Sequence, residues 1–341
     1  MESSLDQPDN PKPPSTRRRN IALIISAVLC IFLAAFYSWQ PDWLVPVTLV
    51  PAWCWLAPAL VFTGLGLNRK SKLWSLAVIA IWICFTGIYV EEARSLLRIK
   101  NKPSAEWVTA RNRGDGIRVV SLNCAAANWK AAFEVTKWKP DIVLLQESPS
   151  RKKLSQLSQT LFGNEGSFLW GGDTSIIVRG KLHPRRIDAS SHFVHATAEL
   201  ANGLTTDVIS VRLDAPIFRL DFFMPGFWID HRAKRLKHRQ QLLEIIEPFK
   251  DSRASLILGG DLNTVPRDSA LDPLRKKLRD TFHVAGHGWG NTGTNDYPLF
   301  RVDQIWASQH FQAESTTAQK TTHSDHRMVV GDLVSARQLD Q

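Results

Sequence analysis

Three long apolar stretches follow one another near the front of the chain: Ile21–Trp39, Trp43–Leu67 and Leu73–Val90. None contains Lys, Arg, Asp or Glu, and each has the length to cross a hydrocarbon layer of ~30 Å as a helix. A single run of this kind could be a buried core helix or a cleaved leader, but three in succession fit neither. The pattern predicts a membrane anchor over residues 20–90 with three transmembrane helices, at about 21–39, 43–67 and 73–90. Trp39, Trp43 and Trp74 stand at segment ends, where an interfacial aromatic belt places them. Pro46, Pro51 and Pro58 predict a middle span that is kinked or partly re-entrant.

Beyond about residue 101 the pattern changes. Short Val/Ile/Leu-rich runs now alternate with charged and Gly-rich breaks, and most runs end on a polar residue. "IRVVSLNC" (117–124) carries Asn123, "DIVLLQE" (141–147) ends on Glu147, and "TSIIVRG" covers 174–180. "TDVISVRL" (206–213) carries Arg212, "SLILGGDLN" (255–263) Asp261 and Asn263, and "FRVDQIWAS" (300–308) Asp303. In "THSDHRMVVGDL" (322–333), Asp325 and His326 precede the apolar run. These runs read as strands, with helices predicted at 129–139, 151–161, 231–250 and 271–281. The alternation predicts an α/β (α+β) architecture of mixed sheets covered by helices, at about 115–335. Residues 91–114 read as a linker, 1–19 as a disordered cytoplasmic tail and 336–341 as a second tail.

Charge adds an orientation. Arg17, Arg18 and Arg19 precede the first span, and "NRKSK" (68–72) separates the second and third, whereas Gln40-Pro41-Asp42 carries no positive charge. The positive-inside rule puts the N-terminus in the cytoplasm, and an odd number of spans puts the soluble part outside. The expectation is an integral protein of the plasma (inner) membrane with an extracytoplasmic, periplasmic domain. Arg94, Arg98, Lys100 and Lys102, close behind the third span, count against this. The formal charge of +10 is compatible with anionic partners such as nucleic acid or phospholipid headgroups. Of four cysteines only Cys124 lies in the soluble part, so a disulfide framework is excluded there. No protein partner is inferable.

The strand-end residues Asn123, Glu147, Asp261, Asn263, Asp303, Asp325 and His326 are acid- and amide-rich with one histidine. An Asp and an Asn after a strand are also ordinary turn formers, and Gly259-Gly260 by itself only permits a bend. Together, however, they form an oxygen-rich set without a Cys/His cluster, which suits a hard cation such as Mg²⁺ or Mn²⁺. A carboxylate to take a proton from water, amides to orient oxygens and a cationic histidine fit metal-assisted hydrolysis of a phosphoric ester. The sequence holds no Gly-rich nucleotide loop, no zinc-finger spacing and no defensible Ser-His-Asp set.

"SLNC", "PDIVLLQE", "GGDLN", "RVDQIWAS" and "SDHRMVV", in that order, resemble the successive motifs of the endonuclease/exonuclease/phosphatase superfamily. The resemblance spans roughly residues 115–335 and implies a four-layer sandwich of two packed mixed sheets flanked by helices. It implies Glu147 as the main metal ligand with Asn123 beside it, and Asp325 completing the metal region. Asp261 would deprotonate the attacking water, Asn263 would contact the phosphate, and His326, oriented by Asp303, would bond it. The implied substrate is a phosphate ester, in nucleic acid or a phospholipid headgroup. Two positions depart from the pattern. Arg212 stands where many relatives have a histidine, and Ala125 where some have an acid. Arg212 could grip phosphate oxygens but cannot act as acid or base. It is therefore the best support for the alternative, an inactive membrane-anchored binding or scaffold protein that keeps the fold.

Other features have bland readings beside sharper ones. His183, His192, His195, His231, His238, His283 and His287 show no ligand spacing. "HRAKRLKHR" (231–239) reads as a solvated helix face or a basic surface for phosphates. "FFMPGFW" (222–228) reads as core packing or as a loop that touches membrane or substrate.

Overall fold

The computed structural model describes residues 16–67, 72–98, 104–187, 192–217, 219, 221–250 and 254–336. Most of the expected N-terminal tail, most of the "NRKSK" connection, Lys100, Lys102 and all but the first residue of the expected C-terminal tail lie outside the described residues. The chain divides into two units. Residues up to Trp39 together with Ala52–Val90 form one, and Gln40–Pro51 together with the chain from Glu91 form the other.

The apolar front contains α1 (Thr16–Trp39), the short α2 (Val45–Leu49), α3 (Leu56–Gly66) and α4 (Lys72–Tyr89). Among the described residues only α1 and α4 are single helices long and apolar enough to cross a membrane. The expected middle span over 43–67 is not one helix, because the chain bends by 75° between Asp42–Leu49 and Ala52–Gly66. Pro51 explains the break: it forces Val50 out of the helical region, to φ −60° and ψ 127°, and cannot donate to a continuing helix. Within the first unit one group of polar side chains faces inward. Ser26 Oγ lies 2.8 Å from Thr63 Oγ1 and accepts from Trp82 Nε1 at 3.0 Å, while Ile24, Ile31, Phe32, Leu60, Leu73 and Ile83 are exposed. An apolar exterior around a hydrogen-bonded interior suits lipid as the solvent.

Besides Gln40–Pro51, the second unit contains α5 (Glu91–Leu97) and α6 (Ala105–Arg113), two helices among the described residues of the expected linker. Its strands are β1 (Gly116–Asn123), β2 (Ile142–Gln146), β3 (Gly166–Trp170), β4 (Thr174–Ile187), β5 (Phe193–Leu200) and β6 (Thr205–Arg212), followed by β7 (Leu256–Asp261), β8 (Leu278–Asp280), β9 (Asp303–Ser308), β10 (Phe311–Gln319) and β11 (Met328–Ser335). The helices between them are α7 (Trp129–Phe133), α8 (Arg151–Phe162), α9 (Pro225–Ile246), α10 (Asp272–Arg275) and α11 (Thr281–Ala285).

The two expected sheets are joined. The strand order is β10-β11-β1-β2-β4-β5-β6-β7-β9-β8, with β3 on β4. β4 pairs with β2 through residues 174–178 and with β5 through 180–187. The crossing point is Gly180 at φ 141°, where a Cβ would lie 2.1 Å from the Glu199 carbonyl; only glycine lets the strand change sheets there. The curled ladder folds onto itself. Ile117, Val119, Leu144 and Ile176 of one half pack against Val194, Val208, Ile257 and Ile305 of the other. Leu122, Val143 and Ile177 back onto Leu154 and Leu157 of α8, and Ile209 and Leu258 onto Leu242 and Ile245 of α9. The result is an α/β fold, a curled mixed sheet flanked by helices.

Both short segments that flank the apolar helices are built into this unit. Arg235 of α9, with its side chain 1% exposed, donates to Asp268 at 2.9 Å, to Thr48 Oγ1 at 2.7 Å and to the carbonyls of Gln40 and Pro41 at 3.3 Å. Arg239 grips Asp42 through both terminal nitrogens, at 3.1 and 2.8 Å. On the other side Glu91 accepts from buried Arg301 at 2.7 Å, and Arg301 also bonds Asp280 at 2.6 Å.

Candidate active site

Strand pairing brings the polar residues together. β1 and β2 run parallel with Asn123 opposite Gln146, so Asn123 and Glu147 leave the sheet at the same end. β6 and β7 run parallel with Arg212 opposite Asp261, and antiparallel β9 puts Asp303 opposite Asp261. The loop before β11 is pinned to the same end, since Ser324 Oγ donates to the Asn123 carbonyl at 2.7 Å and accepts from His326 N at 3.0 Å. Gly260 makes the approach possible: a Cβ there would lie 1.8 Å from the Val211 carbonyl. The glycine pair is therefore a packing requirement of the strand that ends in Asp261.

The carboxylates are crowded and braced. Asn123 Nδ2 donates to Glu147 Oε1 at 3.2 Å and to Asp261 Oδ2 at 3.1 Å. Asn263 donates to Asp261 from its backbone at 3.0 Å and from its side chain at 3.2 Å, and its amide also reaches the Leu213 carbonyl. Glu147 further accepts from Ala126 N and, at 2.8 Å, from Arg212. Glu147 and Asn263 sit at φ 45° and 46°, and Ala125, Ala126 and Ala127 are also left-handed. For non-glycine residues such conformations cost about 1–3 kcal/mol each and persist only where the surroundings fix them.

His326 Nδ1 lies 2.8 Å from Asp303 Oδ2, and Asp303 is fully buried, held by Thr292 Oγ1 at its backbone N–H. Burial alone would lower the imidazole pKa, but the charge and hydrogen bond of Asp303 win, with Asp261 and Asp325 adding to them, and push it up to about 10. The Asp261 pKa is raised as well, above the ordinary carboxylate range. Burial, then the charge of Asp303 opposite, raises it to about 6 despite His326 nearby. Glu147 is lowered: burial opposes ionisation, but the bonds from Ala126 and Asn123 and the charges of Arg212 and His326 outweigh it. Asp325 lies exposed at the rim, where its charge bears on His326.

Ligand atoms of Asp261, Asp303 and His326 lie within 4.8 Å of one another. His326 is a poor metal ligand all the same, because its pKa keeps it cationic at neutral pH. The oxygens of Glu147, Asn123 and Asp261 fit a hard divalent cation better. Arg212, expected at the substrate, bridges Glu147 at 2.8 Å and Asp173 at 3.2 Å. Asp173 and Thr292 were not legible as site residues. Asp173 stands in the short Gly171-Gly172-Asp173 turn between β3 and β4, where an aspartate reads as a turn former.

Residues 127–326 match the profile of the Endonuclease/Exonuclease/phosphatase family, a segment that contains every strand-end residue above except Asn123. The chain belongs to this family. Family members cleave phosphoric esters and generally use divalent metal ions. Among curated protein sequences there is no match. Among solved structures, an endonuclease/exonuclease/phosphatase family protein from Bacteroides thetaiotaomicron is 15% identical, with TM-score 0.50, over 64% of this chain and 98% of that one. One from Bacteroides vulgatus gives the same identity and score over 64% and 99%. At these identities the likeness is one of fold.

Proposed function

We propose that the protein is a membrane-tethered, metal-dependent hydrolase of phosphoric esters, most readily a phosphodiesterase. The observation that carries this reading is the pairing of two neighbours at the strand ends, Asp261 braced by Asn123 and Asn263 with its pKa raised to about 6, and His326 held 2.8 Å from Asp303 with its pKa raised to about 10. Near neutral pH they are a carboxylate with basic strength and an imidazolium, the pair that attack on phosphorus requires. Asp261 takes the proton of the attacking water as its oxygen bonds to phosphorus, and the bond from phosphorus to the leaving oxygen breaks. His326, held in line by Asp303, donates to a phosphate oxygen where charge accumulates. Glu147 and Asn123, with Asp261 and Asp325 alongside, would hold Mg²⁺ or Mn²⁺, which when bound offsets phosphate charge and polarises phosphorus. Asn263 keeps Asp261 oriented, and Arg212 is close enough to Glu147 to meet a substrate oxygen.

The anchor reading rests on α1, α4 and the apolar exterior of the first unit. The orientation rests on Arg17, Arg18 and Arg19 at the start of α1. It is supported by the shared unit of residues 40–51 and 91–336, since both segments must then lie on one side of the membrane. The test uses the full chain in detergent or nanodiscs, because residues 40–51 belong to the catalytic unit. DNA, RNA, phospholipid and a chromogenic phosphodiester would be assayed with Mg²⁺, Mn²⁺ or EDTA, beside Glu147→Ala and His326→Ala. Metal-dependent turnover lost in both variants supports the reading. A folded, metal-binding protein silent on every substrate favours the scaffold alternative.

A further inference from the structure

One surface of the catalytic unit gathers exposed apolar side chains along a loop and the helix that follows it. Phe222, Phe223 and Met224 are 53%, 84% and 57% exposed, and Ile229 and Leu236 on α9 are 64% and 40% exposed. Residues 225, 229, 232, 233 and 236 recur at helical spacing, so they form one stripe along the outer face of α9. The inner face is a separate stripe of Phe227, His231, Arg235, His238, Leu242 and Ile245, all buried. Exposed Arg232 stands among the outer apolar residues. An apolar stripe with a basic residue in it is the pattern of a helix lying in a membrane interface. Core packing, the bland alternative, is excluded for Phe223 by its exposure.

Chain continuity supplies the partner. Arg235, next to Leu236, bonds the carbonyls of Gln40 and Pro41, which directly follow the end of α1 at Trp39. The ridge therefore begins one residue from a side chain tied to the point where the proposed span ends. Ile229 is about 10 Å further along the helix, from ~1.5 Å per residue. The ridge also communicates with the site. His238 of the same helix bonds Thr264 Oγ1 at 2.8 Å and the Asp214 carbonyl at 2.9 Å. The loop that leaves Leu213, where Asn263 donates, leads to Phe222 and is braced by Arg219 against Asp221 and Asp230.

We propose that Phe222, Phe223, Met224, Ile229 and Leu236 seat on the lipid surface into which the chain is anchored, and that the substrate is a phosphoric ester carried by a membrane lipid. This rests on the hydrolase reading and narrows it. The ridge holds the Asp261 end of the sheet against the headgroup layer, so a lipid-borne ester reaches the site without leaving the bilayer.

The test uses the full chain in nanodiscs of phosphatidylethanolamine, phosphatidylglycerol, phosphatidylinositol and sphingomyelin, with Mg²⁺ or Mn²⁺. Lipid products are followed by mass spectrometry, and a water-soluble chromogenic phosphodiester is assayed in the same preparation. The triple variant Phe222→Ser, Phe223→Ser, Met224→Ser is expected to lose at least about tenfold in lipid turnover while its soluble-diester turnover stays within about twofold. A photoactivatable lipid is expected to label the peptide 222–236 in the wild type. Soluble-diester turnover by the wild type without any lipid turnover overturns this proposal and leaves the hydrolase reading standing; no turnover of either substrate counts against both. Equal loss on both substrates, no loss on either, or crosslinking of 222–236 to a second copy instead of lipid each overturns it as well.

Discussion

Replacing Asp303 by Asn removes one charge from the most tightly arranged pair in the site and nearly preserves its shape. In the wild type the Asp303 carboxylate, 2.8 Å from Nδ1, is the main reason the His326 pKa stands near 10 rather than 6.5. That difference corresponds to about 5 kcal/mol favouring the imidazolium, at ~1.4 kcal/mol per pKa unit. Burial of the ring persists in the variant and acts in the opposite direction, so His326 falls to about 6.5 or below. At pH 8 only about 3% of it is then protonated, and a step that needs the imidazolium slows by at least about 30-fold.

The second limb of the pH profile moves too. Asp303 is also a cause of the raised Asp261 pKa, so in the variant Asp261 ionises at lower pH. The expected wild-type kcat/KM profile rises near pH 6 and falls near pH 10. The Asp303→Asn profile is a bell displaced bodily to the acid side, so the two enzymes differ least at low pH. The assay is kcat/KM for a soluble chromogenic phosphodiester from pH 4.5 to 10.5 at saturating Mg²⁺. An Asp303→Asn profile lowered at every pH with both limbs in place would refute the reasoning, because general damage scales a bell without moving it.

Two further outcomes follow from the ion pairs. The Glu91 pKa is lowered from 4.5 to about 2, because the charge of Arg301 and bonds from His283 and Arg301 overcome its burial. Its contribution of about 3 kcal/mol is present above pH 4.5 and lost as the pH falls through about 2. Glu91→Gln should lose that amount at pH 7, with the gap to wild type closing between pH 4.5 and 2 in detergent unfolding; a gap independent of pH would contradict the assignment. Arg212 places a permanent cation 2.8 Å from the Glu147 carboxylate, in competition with any divalent ion there. Arg212→Gln, uncharged at every pH, should tighten Mn²⁺ binding about tenfold by calorimetry, whereas unchanged or weaker binding would mean that Arg212 does not oppose the metal.

How much of this was legible depended on how local the signal was. β1, β2, β7 and β11 are Val/Ile/Leu runs buried on at least one face, and each shows in the sequence. β5 ("FVHATAEL") and β10 ("FQAESTTAQ") did not, because their exposed faces carry His195, Thr197 and Glu199, or Gln312 and Thr317, among small residues. A search for strict alternation finds β5, whose Val194, Ala196 and Ala198 point inward. α9 begins at Pro225 rather than at 231: the proline reads as a breaker but occupies the first turn, where its missing N–H costs nothing. The strand-end residues were legible because each stands at one end of, or just beside, a recognisable run. Asp173, from a turn, and the contact of Glu91 with Arg301, 210 positions apart, leave no local trace.

The unreadable contacts explain how so strained a site stays in place. Asp261 and Asp303 face each other as like charges, and Glu147 and Asn263 are held in left-handed backbone. Such an arrangement relaxes unless its surroundings are rigid. Arg301 lies two residues before Asp303, and its bonds to Asp280 and Glu91 fix that strand entrance. Asp268 lies five residues after Asn263, and its bond to Arg235 fixes the exit of that loop against Gln40, Pro41 and Thr48. Removing one partner of a buried pair of this kind costs about 3–5 kcal/mol. The segments that join the apolar helices are therefore also the braces of the two loops carrying Asp261, Asn263 and Asp303. A fragment beginning after them lacks both braces, so its activity would say little about the intact chain.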